Sequence, residues 1–288
     1  MKKKVSVMGT GTMGTGIVHM LVVSDYEVVW LAHSSGSVAG AVEGIRKSLD
    51  KALGKKVISR DDASMAMGRV SATTDYREME GSEAIIEAVT ESEAMKMEVL
   101  KNADRYRGSA IIATNTSSIS ITRLAAAILD KEAFLGMHFF NPVPVMKPIE
   151  MIVTEYTSGE TERRALGIAD ACGKTVIKVK DYPGFVANNI LMQMLNEAVV
   201  LLEKGVAEKE GIDKIVRLGL NHPMGPLELA DFIGLDVCKD ISDSIYRATK
   251  DERFKTPELI NRLVESGKLG RKSGEGFYSY RQRDTYDV

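Results

Sequence analysis

"VSVMGTGTMGTGI", residues 5–17, decides the architecture of this chain. An apolar run, Val5 to Met8, breaks on Gly9, Gly11 and Gly14 and leads at once into a helix-forming stretch. Strand, G-x-G-x-x-G turn and helix in that order make a cradle for a pyrophosphate. The first glycine permits the tight turn, the second lets phosphate approach the backbone, and the third lets helix and strand pack closely. The phosphate charge then lies against the helix N-terminus. Thr12 and Met13, inside the loop, belong to the same expected contact set. The stretch therefore predicts a dinucleotide-binding domain.

Working outward, short runs rich in Val and Ile alternate with longer amphipathic stretches: "VSVM", "YEVVWL", "EAIIEAV", "SAIIAT", "AFLGMHF" and "TVIKV". That rhythm predicts parallel strands joined by crossover helices, an α/β domain of Rossmann type over residues 1–182. After "DYPGFVANN" the pattern changes. From Ala187, the apolar residues Ile190, Leu191, Met194, Leu195, Ala198, Val199 and Leu202 recur at helical spacing over more than half a helix surface. So wide a stripe calls for burial on two sides. Apart from a possible short strand in "GFYSY", residues 183–288 read as a helical second domain.

Bulk properties exclude several classes of function. The 288 residues carry a net charge of only −2, with acids and bases scattered along the chain, so no broad footprint for nucleic acid or an anionic membrane is expected. Cys172 and Cys238 are isolated thiols that match neither a disulfide framework nor metal-ligand spacing. A reducing, cytoplasmic setting and no metal follow as expectations. Lys2, Lys3 and Lys4 precede a stretch broken by glycines, and no apolar run approaches the roughly 20 residues of a membrane span, so neither targeting segment nor membrane partner is expected.

The second expected strand, in "YEVVWLAHSSG" (26–36), runs into Ala32 where dinucleotide-binding chains normally carry an acid for the adenine ribose. Without that carboxylate NAD loses a contact and the 2′-phosphate of NADP loses a repulsion. His33, Ser34 and Ser35 can donate to a phosphate, though less strongly than arginine, and the nearest arginine, Arg46, lies on the next helix. The expected coenzyme is NAD(H) or NADP(H), with a lean to NADP(H) or dual use.

Further motifs follow: "NTSSISI" (115–121), "HFFNPVPVMKPIE" (138–150), "DYPGFVANNIL" (181–191), "NHPMGPLELADFIGLD" (221–236) and "GKLGRKSGEGFYSY" (267–280). With the glycine loop, in order and over nearly the full length, the chain resembles the 3-hydroxyacyl-CoA dehydrogenase family, most closely its bacterial 3-hydroxybutyryl-CoA dehydrogenases. Read alone, His138 beside a Phe-Phe-Asn-Pro bend would be a packed structural histidine. The resemblance instead implies that His138 is the general acid/base and Glu150 its orienting partner. A carboxylate on one imidazole nitrogen holds the other ready for the hydroxyl proton and stabilises the imidazolium.

The resemblance further assigns Ser117 and Asn188 to the reacting oxygens of the substrate. It assigns Glu91, Lys96, Asn141 and Lys272 to the coenzyme, and Ser48, Lys55 and Ser117 to coenzyme A. It sets Ala32 at the family's usual aspartate. Without it, Ser117 and Asn188 would be turn or cap residues and the charged groups solvated surface. Ser48 and Lys55 project from roughly one face of the helix around "EGIRKSLDKALGKK", and Lys47, Lys51 and Lys55 would make that face suit phosphates. The implied activity is hydride transfer between the dinucleotide and a short-chain 3-hydroxyacyl-CoA (3-hydroxybutyryl-CoA to acetoacetyl-CoA), in fatty acid or butyrate metabolism. The wide apolar stripe and the family's pairing of subunits through the second domain imply a homodimer. Two competing readings are a non-catalytic scaffold, which should have lost part of the His138, Glu150, Ser117 and Asn188 set, and a dehydrogenase for a free hydroxy acid, against which the lysine-bearing helix argues.

Overall fold

A computed structural model describes residues 3–280 of the chain; Lys2 lies outside the described residues. Two compact units divide the chain after Tyr182. In the first, β1 (Lys4–Met8), β2 (Glu27–Leu31), β3 (Val70–Thr73), β4 (Ala84–Glu87), β5 (Ile111–Thr114), β6 (Phe134–Phe139), β7 (Pro148–Val153) and β8 (Thr175–Lys180) form one sheet. Between them run α1 (Thr12–Val23), α2 (Ser35–Gly54), α3 (Arg60–Met67), α4 (Glu93–Asp104), the single turn α5 (Ile121–Leu124) and α6 (Gly159–Ala171).

The sheet order is β3-β2-β1-β4-β5-β6-β7-β8, so the winding reverses between β1 and β4. Such a switch point opens a crevice at the carboxyl ends of the strands, where dinucleotides bind. The central strands β4 and β5 are buried at every position, which is why each reads as three consecutive Ala/Ile residues, closed by Glu87 or Thr114, rather than as an alternating pattern. Val5, Val7, Ile86, Trp30, Ile45 and Leu135 share one core with residues of α1 and α2.

The sheet is not wholly parallel. β6 and β7 pair antiparallel, with His138 opposite Glu150, and β8 then runs parallel to β7. The cause is the short connection 140–147, since a parallel pair needs a crossover of about a dozen residues or more. The reversal has a chemical consequence: it brings the start of β7 to the edge where β1, β4, β5 and β6 end.

The second unit is helical: α7 (Ala187–Glu203), α8 (Lys209–Gly219), α9 (Pro226–Ile233), α10 (Leu235–Thr249) and α11 (Glu258–Glu265). Leu195, Ala198 and Val199 of the α7 stripe are buried in its core, and Leu191, Met194 and Leu202 pack against that core, while Ile190 stays exposed. "GFYSY" forms no strand; only isolated bridges join Gly270 to Glu275 and Glu275 to Ser279. Asp231 holds this segment instead, accepting from the backbone N–H groups of Phe277 and Tyr278 at 2.9 Å each. Among the described residues no helix is long and apolar enough to cross a membrane, and no three His, Cys, Asp or Glu side chains gather as a metal site.

Candidate active site

The glycine loop follows β1 and caps α1. Gly9 has φ 105°, left-handed backbone, and a Cβ there would lie 2.4 Å from the Ala88 carbonyl oxygen. Gly14 allows no side chain either, because its Cβ would meet the Gly9 carbonyl oxygen at 2.0 Å. Gly11 differs, with no atom within 4 Å of the position a Cβ would take. The space at the α1 N-terminus is therefore open just where a pyrophosphate would approach. No acidic residue occupies the first turn of α1 to repel it. The fully buried Trp30 donates its indole N–H to the Gly9 carbonyl at 2.7 Å and pins the turn from below. These residues fit a dinucleotide.

His138 is the penultimate residue of β6 and Glu150 the third of β7, directly paired across the ladder. Their side chains share one sheet face, and His138 Nδ1 lies 2.8 Å from Glu150 Oε2. Both are buried, at 7 % and 4 % exposure. Opposite a carboxylate, Nδ1 carries the ring proton, which leaves the lone pair on Nε2. The Phe140 ring stands 4.8 Å from the imidazole centroid at a tilt of 49° and limits its rotation. Asn115, just past β5, accepts from the Phe139 backbone N–H at 2.8 Å and fixes this end of β6.

Ser117 belongs to the loop after β5, next to the end of β6. Glu91, beyond β4, organises that loop through one oxygen. Five donors converge on its Oε1: the Thr116 hydroxyl (2.6 Å), the backbone N–H groups of Ser117 (2.9 Å) and Ser118 (3.0 Å), and the hydroxyls of Ser117 (3.3 Å) and Ser118 (3.0 Å). The Ser117 hydroxyl has the longest of these contacts.

Glu91 Oε2 faces Lys96, 3.3 Å away. Lys96, expected at the coenzyme, is 1 % exposed, and its ammonium also donates to Glu87 Oε1 (2.8 Å) and the Val89 carbonyl (3.3 Å). An ammonium has only three protons, so acceptors within the protein already match them. The physical reason is Glu87, a fully buried carboxylate at the end of β4 that needs a counter-charge. Burial alone would raise the Glu91 carboxyl, but the Lys96 charge and the Thr116, Ser117 and Ser118 hydrogen bonds outweigh it and hold the group below its ordinary range.

Two family models match the chain in succession, that of the 3-hydroxyacyl-CoA dehydrogenase NAD binding domain over residues 4–182 and that of the C-terminal domain over 184–280. The 3-hydroxybutyryl-CoA dehydrogenase of Bradyrhizobium diazoefficiens is 39 % identical over 280 residues, 97 % of this chain and 96 % of its own. That of Clostridioides difficile is 38 % identical, over 96 % of this chain and 99 % of its own. The crystal structure of (S)-3-hydroxybutyryl-CoA dehydrogenase from Ralstonia eutropha superposes with a TM-score of 0.93 at 40 % identity, covering 98 % of this chain and all of that one. The chain belongs to the 3-hydroxyacyl-CoA dehydrogenase family.

Other residues that the 3-hydroxyacyl-CoA dehydrogenase pattern singles out belong to several different elements. Asn141 is exposed at the start of the 140–147 connection. Ala32 is buried just past β2 and donates its N–H to the Thr73 carbonyl. His33 is exposed, with Nδ1 3.2 Å from the Ser37 hydroxyl. Ser34 is the N-cap of α2: its hydroxyl accepts from the Ser37 N–H, and Ser37 returns the contact. Ser48 is half-buried on α2 with its hydroxyl 2.7 Å from Nδ1 of His19, whose imidazole burial pushes down towards the neutral form. Lys55 is exposed at the α2 C-cap, one residue past the helix, and Lys47 pairs with Glu43 at 3.4 Å, which weakens the expected positive face.

In the second unit, Asn188 lies buried in the first turn of α7. Lys272 pairs with Asp236, its ammonium 2.5 and 2.6 Å from the two carboxylate oxygens. Asp213 and Asp181 went unread in the sequence. Asp213 accepts from the Leu227 and Glu228 N–H groups and caps α9, and Asp181 accepts from Ser120, Ile121 and Thr122 at the start of α5. Both answer helix ends distant in sequence, so no local spacing marks them.

Proposed function

We propose that this protein interconverts (S)-3-hydroxybutyryl-CoA and acetoacetyl-CoA with a nicotinamide dinucleotide, His138 serving as general acid/base. The observation that carries the reading is the buried His138–Glu150 pair, 2.8 Å apart on the sheet edge that also carries the glycine loop and Ser117. The names of the Bradyrhizobium and Ralstonia relatives support the acyl chain. When bound, the dinucleotide supplies the hydride acceptor for carbon 3, or the donor in the reverse direction. His138 Nε2 takes the substrate hydroxyl proton while Glu150 stabilises the imidazolium; in reduction the same proton returns to the alkoxide. Ser117 and Asn188 hydrogen-bond the reacting oxygens, and Glu91, with Lys96 on its other side, holds the Ser117 loop. Lys96 acts through Glu91 rather than by touching the coenzyme. Asn141 and Lys272 meet the coenzyme; Ser48 and Lys55 meet the coenzyme A portion. The first unit serves as the dinucleotide-binding domain and the second as the dimerisation and substrate-cleft domain, in a cytoplasmic setting.

The test is oxidation of NADH and NADPH with acetoacetyl-CoA beside free acetoacetate. Turnover of the thioester alone is the expected result. Turnover of both to similar extent would make this a free-acid dehydrogenase, and turnover of neither a non-catalytic scaffold.

For the coenzyme, the family model speaks of NAD, and the tilt towards NADP(H) loses part of its basis, since Ser34 is engaged in the α2 cap and His33 faces Ser37. What remains is the absent carboxylate at Ala32. Weak discrimination follows, with kcat/KM for NADPH and NADH within about a hundredfold of each other. Ala32→Asp should then shift the ratio towards NADH by roughly ten- to two-hundred-fold, or about 1 to 3 kcal/mol, through the like charge on the 2′-phosphate. A parent that already favours NADH by much more than about a hundredfold would contradict this.

Ile190, Ile215, Leu218 and Phe232 are more than half exposed in the second unit. With the family's assembly in mind, a homodimer is expected. Light scattering should return twice the 31.5 kDa chain mass or a multiple of it; a monomer mass at micromolar concentration would count against the pairing.

A further inference from the structure

Lys174 is a buried cation that no step above uses. It stands directly before β8, 8 % exposed, where left-handed Gly173 (φ 65°) ends the turn after α6. The Lys174 N–H closes that turn onto the Ala169 carbonyl at 3.0 Å, so the backbone beneath the side chain is fixed. Its ammonium donates to the carbonyls of Val143 (2.5 Å) and Met146 (2.7 Å). Both carbonyls belong to the 140–147 connection between the strand of His138 and the strand of Glu150.

The same connection is held against α1. Val143 is 2 % exposed, and a methyl group on Gly16 would come within 3.0 Å of its Cβ and Cγ2. Gly16 follows the glycine loop by half a turn of helix, so the segment that begins with Asn141 is seated on the helix that begins at the phosphate cradle. Burial pushes the Lys174 ammonium below its ordinary pKa, a cost that an apolar side chain would avoid. In return, one charged group draws two backbone carbonyls to a single point with hydrogen bonds about twice as strong as neutral ones.

We propose that Lys174 is a positioning residue for coenzyme binding: by clamping the Val143 and Met146 carbonyls it sets the 140–147 connection, and with it Asn141, relative to the glycine loop. The inference rests on the coenzyme role of Asn141 given above. Asn141→Ala, Lys174→Met and the double variant are compared with the parent for coenzyme KM, for kcat with acetoacetyl-CoA saturating, and for NADH binding by fluorescence titration. Each single variant should raise coenzyme KM and Kd about tenfold with kcat changed less than about threefold, and the double variant should be within about twofold of the worse single one. Lys174→Arg, which keeps charge and donors, should recover most of the loss. If Lys174→Met does not fold, Lys174→Gln, with a neutral donor at the same point, carries the comparison and should show a smaller rise in KM. Losses that multiply, or an unchanged coenzyme KM in the Lys174 variant beside a raised one in Asn141→Ala, would overturn the role of Lys174 and leave Asn141 at the coenzyme. An unchanged KM in Asn141→Ala would overturn both.

Discussion

His138→Ala should lower kcat by at least about a hundredfold, the lower end of what a positioned general acid/base contributes, with NADH affinity nearly unchanged. The imidazole is buried and hydrogen-bonded to a carboxylate directly across a strand pair. It lies two strands from the β1–β4 switch point, so its removal leaves Gly9, Gly11 and Gly14 as they are. Alanine also frees space beside Phe140 and removes the hydrogen bond between the imidazole and Glu150. Stability should therefore fall as well, by roughly 0.5 to 1.5 kcal/mol for the lost hydrogen bond, and thermal unfolding has to be measured beside kinetics. Steady-state rates with saturating acetoacetyl-CoA and NADH decide the matter. Retention of half the parent rate would remove His138 from the chemistry.

Glu150→Gln should also lower kcat strongly, by about a hundredfold or more, although it alters almost no volume. Two effects act together. The neutral amide no longer stabilises the imidazolium. Its NH2 can also donate to Nδ1, which then gives up its proton to Nε2 and leaves the ring in the tautomer that cannot accept the substrate proton. A structural role alone would make glutamine nearly harmless, because it keeps a hydrogen bond at 2.8 Å. A parent-like kcat and pH–rate profile in Glu150→Gln would reduce Glu150 to packing.

How much of this was legible beforehand varies with the kind of signal. The glycine loop and the strands with dense Val and Ile could be read because buried parallel strands need continuous apolar runs. β3, "VSAT", could not: it is a four-residue edge strand with no fully buried position. The reversal of β7 was available only as a length, eight residues between Phe139 and Pro148 being too few for a crossover. Lys96 is the sharpest case. A lysine on an amphipathic helix reads as solvated surface, yet Glu87 at the end of an otherwise apolar strand already demanded a buried cation. Lys174 gave no such warning, because its acceptors are backbone carbonyls, which carry no sequence signature. The donors after β2 misled for another reason. Ser34 and Ser37 form a reciprocal cap without the acidic residue that usually marks one, so a serine spent on its own helix looked available to a phosphate.

If Glu150 works only through His138, its charge should be worthless once the imidazole is gone. The most direct test is therefore kcat of the double variant His138→Ala, Glu150→Gln beside the two single variants. The dyad predicts a double variant within about twofold of His138→Ala, the losses failing to multiply because both remove one catalytic unit. Losses that multiply in full would mean that the two side chains act independently, and the proton-transfer pair proposed here would be wrong.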